Sequence, residues 1–84
     1  MHSLVLRFKA SDRPGILAAV TPLLAGNGCD IRQAQSFGDP DTGFFFVRME
    51  LASPLTAEAL ATALAPSIPD WAIEWQLAEG SAGL

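Results

Sequence analysis

The chain has 84 residues, 50% of them hydrophobic, and a formal net charge of −4, which bounds it to one small domain that buries only about 60–65% of its unfolded surface. The apolar share exceeds what a monomer of this size needs to hide, so self-association, as a homodimer or higher homo-oligomer, is expected. Five scattered basic residues give no electrostatic footprint for nucleic acid or an anionic membrane, and no apolar run approaches the ~20 residues of a membrane span or follows a signal-like basic start, so a cytoplasmic protein is expected.

Leu4, Leu6 and Phe8 alternate with Val5, Arg7 and Lys9, the period-two pattern of a strand with one face buried. Ser11-Asp12-Arg13-Pro14-Gly15 then joins this strand to a helix. Pro14 suits the first helical position, where its missing N–H removes nothing the helix needs, and Gly15 lets a ligand or backbone come close. The amides that follow are free, and with the positive end of the helix dipole behind them they favour an anion such as a carboxylate. Asp12 beside them suits an ammonium group. Together these describe a candidate amino-acid site; the alternative is that Asp12 only caps the helix.

Ile16, Leu17, Val20, Leu23 and Leu24 form a single apolar stripe, and the helix they predict ends at Asn27-Gly28. Pro22 lies inside it and predicts a kink rather than a break, because Leu23 and Leu24 keep the stripe in phase. Cys29, the lone cysteine, reads as a small buried hydrophobe; with His2 the lone histidine, neither an internal disulfide nor a Cys/His metal site can be built within one chain. No cofactor is expected.

A second strand is predicted over 30–37, a turn over Gly38-Asp39-Pro40-Asp41-Thr42-Gly43, and a third strand over 44–51 completing a hairpin. In the third, Phe45, Val47, Met49 and Leu51 share one face while Phe44, Phe46, Arg48 and Glu50 share the other. Thr56 is the expected N-cap of a short helix whose stripe is Ala57, Leu60, Ala61 and Leu64, stopped by Pro66. Trp71, Ile73, Trp75 and Leu77 alternate as a fourth strand, and residues 78–84 have the composition of a linker or tail after a domain over 1–77.

The order βαββαβ fits an α+β, ferredoxin-like sandwich, a four-stranded antiparallel sheet with both helices on one face. The other face is then uncovered. Phe44 and Phe46, beside Arg48, form an apolar patch there that is the candidate interface with another subunit.

With strand, Asp12-Arg13-Pro14-Gly15 loop, helix, Gly28-Cys29-Asp30-Ile31 and hairpin in place, the chain resembles an ACT domain over residues 4 to 77. It is most similar to the N-terminal domain of the formyltetrahydrofolate deformylase family, through Asp12-Arg13-Pro14-Gly15-Ile16, Ala34-Gln35-Ser36-Phe37, Asp39-Pro40-Asp41-Thr42-Gly43 and Phe45-Phe46-Val47-Arg48-Met49-Glu50. Phe44 stands where that family's pattern has an arginine, which makes the open face more apolar.

The resemblance implies a dimeric domain that binds a small amino acid, with glycine and methionine as candidates, and regulates an attached enzyme. It places the site at a subunit boundary, between the loop after the first strand and the start of the neighbour's second. The positions that match are Asp12, Arg13, Pro14, Gly15, Ile16 and Leu17 on one side, and Asp30, Ile31 and Gln33 on the other. Two carboxylates suit an ammonium group, so the ligand carboxyl would rest on the amides of Gly15, Ile16 and Leu17, with Gln33 as a further donor.

Deformylases of this family hydrolyse 10-formyltetrahydrofolate, in one-carbon and purine metabolism, in a separate catalytic domain that is not expected within these 84 residues. His2 has no paired base or nucleophile, so the chain alone is not expected to be an enzyme. The expected function is that of a regulatory, amino-acid-binding and dimerising domain; a ligand-free scaffold and a stand-alone amino-acid sensor are the alternatives.

Overall fold

The computed structural model describes residues 1–11 and 14–80. In chain order its elements are β1 (His2–Ser11), α1 (Ile16–Gly26), β2 (Asp30–Asp39), β3 (Phe44–Ser53), α2 (Ala57–Leu64), a single 3-10 turn (Ile68–Asp70) and β4 (Glu74–Glu79). The four strands make one sheet in the order β2-β3-β1-β4, and every neighbouring pair is antiparallel. This is the βαββαβ, ferredoxin-like topology expected from the residue pattern.

The alternation in β1 decides what lies on each side of the sheet. Leu4, Leu6, Phe8 and Ala10 are buried and stand opposite Leu51, Met49, Val47 and Phe45 of β3. Against this layer α1 packs Ile16, Val20 and Leu24, and α2 packs Leu60 and Leu64. Each fully buried side chain of this kind contributes about 1.5–3 kcal/mol. Leu17, expected in the α1 stripe, is 36% exposed, because burial on this short helix follows an i, i+4, i+8 line and Leu17 is one step off it.

Local signals account for most of the element ends. Thr56 caps α2 as expected, its hydroxyl accepting a hydrogen bond from the Ala59 N–H at 3.1 Å. Helix α1 continues through Pro22 to Gly26, and Pro22 lies on the exposed side. The hairpin closes with Gly43 at φ 74, its N–H donating to the Asp39 carbonyl at 2.8 Å. Cys29 is a free, buried thiol in the core.

Two expectations need correction at the C-terminal side. Trp71 is not a strand residue: it ends the 3-10 turn, is 2% exposed and sits edge-on against Phe8, ring centroids 4.9 Å apart. The fourth strand begins at Glu74, after the Ile73 N–H donates to the Lys9 carbonyl at 2.7 Å. The period-two spacing ran the two tryptophans together, but a tight turn separates them, and Trp75 at the sheet edge is 38% exposed. Residues 78 and 79, expected to open a linker, belong to β4. Ala78 and Glu79 pair with Val5 and Leu4, and the Gly80 N–H donates to the Ser3 carbonyl at 2.6 Å. Residues 81–84 of the expected tail lie outside the described residues.

The two tryptophans should therefore separate in stability measurements. Trp71→Ala removes a packed core ring and is expected to cost about 3–5 kcal/mol in urea unfolding, whereas Trp75→Ala is expected to cost about 1 kcal/mol or less.

Candidate functional site

Asp12 and Arg13 lie outside the described residues, so the site is described from Pro14 onward. Pro14 does not occupy the first helical position. Helix α1 starts at Ile16, and Gly15 is its N-cap, in a left-handed conformation at φ 87. Gly15 carries that conformation without cost, which a residue with a Cβ would not, and the turn pushes Pro14 one position outside the helix. The Gly15 carbonyl accepts the Ala19 N–H at 2.9 Å. No side chain of the described residues caps this helix end, so its first-turn amides have no side-chain partner among the described residues. A crevice of about 180 Å³ lies beside this helix start, lined by Ser11, Ile16, Asp70 and Ala72 among others.

The second half of the candidate site lies elsewhere. Asp30 is the first residue of β2, and its carboxylate is 3.2 Å from Nε of Arg32, both side chains well exposed. Arg32 is the extra residue of a bulge, where the register of β2 on β3 shifts between Ile31 and Gln33. Ile31 opposes Leu51 on the helix side, whereas Asp30 opposes Ala52 and Gln33 opposes Glu50, both on the helix-free side. Within one chain the two halves stand at opposite ends of the sheet. Asp30 shares a level with Ala52 and Ser3, while Ser11, Phe44 and Asp39 mark the end from which residues 12–15 depart. At ~3.3 Å per residue the separation is roughly 25–30 Å.

On the helix-free face Phe44 is half-buried, with the Lys9 ammonium 4.5 Å from its ring centroid, and Phe46 is 37% exposed. Arg48 pairs with Glu50 at 2.9 Å. The residue reading missed two members of this face. Phe37, 65% exposed, lies beside Phe46 with centroids 6.0 Å apart, and Arg7 lies directly opposite Arg48. The hairpin register was the signal that would have found Phe37; Arg7 required knowing that β1 and β3 are neighbours.

Strand β2 is the most exposed element. It is a ten-residue edge strand, and even Ala34 and Ser36, which point to the helix side, are open to solvent. Long unpaired edges of this kind are templates for a further strand. Among the described residues no group of three His, Cys, Asp or Glu side chains is placed to hold a metal ion, and no helix is long and apolar enough to cross a membrane.

A one-layer sheet with two helices on one side defines a small ferredoxin-like domain, with an open edge strand and a helix start uncapped among the described residues. The chain belongs to the ACT domain family, whose model matches residues 4–65. Among solved structures it is similar to formyltetrahydrofolate deformylase from Pseudomonas syringae pv. tomato, at 26% identity and a TM-score of 0.85, covering 96% of this chain and 28% of that one. The deformylase from Burkholderia mallei is similar at 26% identity and a TM-score of 0.81, covering 94% and 28%. The regulatory subunit of aspartate kinase from Thermus thermophilus shares the fold at 23% identity and a TM-score of 0.70, covering 92% and 50%. This chain thus spans little more than a quarter of the length of the deformylases it matches. Comparison with curated protein sequences gives no match.

The left-handed N-cap has a measurable consequence. A Cβ at Gly15 meets nothing within 4 Å, so Gly15→Ala is expected to destabilise the domain through backbone strain alone, by about 1–2 kcal/mol in urea unfolding.

Proposed function

We propose that this domain binds a small amino acid between two copies of itself and so regulates a formyltetrahydrofolate deformylase. The observation that carries the reading is the helix start at Gly15, where first-turn amides have no capping side chain among the described residues. An amino-acid carboxylate takes those amides. The ammonium group is held by Asp12 of the same chain and by the acidic start of the neighbour's β2 at Asp30. Arg32, paired to Asp30, tempers the negative charge there, so a zwitterion is preferred over a simple cation.

Two-fold symmetry supports this assembly. Pairing two β2 edges antiparallel turns one copy end for end. The Asp30 end of one sheet then comes to the loop end of the other, which brings together halves that a single chain keeps roughly 25–30 Å apart. The exposed small residues Ala34 and Ser36 leave room for a close approach on the helix side. The parentage rests on the likeness to deformylases over nearly the whole of this chain, and glycine and methionine are the first ligands to try in an enzyme of one-carbon metabolism.

A panel of amino acids in a thermal-shift assay tests ligand binding. At 100 times its dissociation constant the ligand adds about 2.7 kcal/mol, expected to raise the midpoint by ~10 °C or more in a domain this small. Asp30→Ala is expected to remove most of that shift. No shift with any amino acid at millimolar concentration leaves the domain a scaffold without a ligand. For the assembly, sedimentation is expected to show a dimer, which Ala34→Lys at the β2 edge converts to folded monomer. A dimer insensitive to that substitution refutes the edge pairing.

A further inference from the structure

The sheet register stacks the side chains of the helix-free face in rows that run across all four strands. One row is Gln35, Arg48, Arg7 and Gln76; the next is Phe37, Phe46, Lys9 and Glu74. Arg7 and Arg48 are therefore direct cross-strand neighbours, an arrangement of like charges that destabilises a sheet on its own. Arg48 has Glu50 at 2.9 Å and Lys9 has Glu74 at 3.5 Å. Arg7 has no carboxylate partner among the described residues.

The rows border an open depression of about 680 Å³, whose lining includes Arg7, Lys9, Gln35, Phe37, Phe46 and Arg48. Glu74 is the one carboxylate against three cations in that lining, although the chain as a whole carries a net charge of −4. The apolar part of the depression includes the pair of Phe37 and Phe46 rings, tilted at 48° to one another. A volume of this size suits a small organic molecule.

From this geometry we infer that the helix-free face binds a flat aromatic carboxylate. The ring system lies on Phe37 and Phe46, the carboxylate is shared by the guanidinium groups of Arg7 and Arg48, and the amides of Gln35 and Gln76 close the two ends of the row. Binding of the anion relieves the repulsion between the arginines, which links affinity to the charge of the ligand and not only to its apolar area. A second copy is the wrong occupant, because Glu50 and Glu74 are already engaged and face-to-face pairing would bring two uncompensated Arg7 side chains into one apolar layer. The site is separate from the amino-acid site proposed at the start of α1, which lies beyond the end of β1.

The test is titration of the full chain with naphthoate and with its neutral analogue naphthyl methanol, followed through backbone amide chemical shifts. Naphthoate is expected to saturate, to shift residues around Arg7, Gln35, Phe46 and Arg48 most, and to bind roughly tenfold or more tightly than the alcohol. Arg7→Gln, with its native circular dichroism verified, is expected to weaken naphthoate about tenfold and leave the alcohol unchanged. Should that variant not fold, raising the salt concentration on the native chain is expected to weaken naphthoate selectively. Equal affinity for acid and alcohol, or naphthoate binding indifferent to both Arg7→Gln and salt, overturns the inference. So does a Phe46→Glu variant that turns a dimer into a monomer, since it would assign the face to a second copy.

Discussion

The alternation of β1 is the constraint on which the rest of the molecule depends. This strand lies inside the sheet, paired to β3 on one side and β4 on the other. Leu4, Leu6, Phe8 and Ala10 go under the helices, and Val5, Arg7 and Lys9 are left on the opposite face. A chain of 84 residues has two short helices to spend, enough to cover one face and no more. The helix-free face and its arginines follow from that shortage.

The same shortage leaves β2 bare. The helices cover the centre of the sheet, so the edge strand projects beyond them with nearly every side chain open. In a solitary domain such an edge invites uncontrolled strand addition, and the assembly proposed above would cover it. The distribution of the candidate ligand residues agrees with this. A helix start at one end of the sheet and an acidic strand start at the other are of no use to each other within a chain, and the proposed two-fold pairing of β2 edges would make them neighbours.

The residues made most of the fold legible because its signals are local. The stripes of α1 and α2, the Thr56 cap, the turn before Gly43 and the alternation in β1 and β3 each depend on neighbours a few positions apart. The readings that needed correction depended on distant contacts. Trp71 has the spacing of a strand residue, but Phe8 holds it in a turn. Residues 78–80 have a linker's composition, but β1 pairs Ala78 and Glu79 into the sheet and the Ser3 carbonyl holds the Gly80 N–H beside it. The bulge at Arg32 turns Gln33 to the helix-free side, and a period-two reading has no means to detect an inserted residue.

By itself the sequence was enough for the order of elements, the one-sided core, the uncovered sheet face and the loop at Gly15, since periodicity, caps and turn residues encode these over short spans. Strand order was not among them. Only when β1 is set beside β3 does Arg7 meet Arg48, and only when β2 becomes an outer edge is its whole length left open on one side. Hydrogen-bonded pairing between strands far apart in the chain decides which side chains become neighbours, and that pairing leaves no mark in the spacing of residues along a single strand.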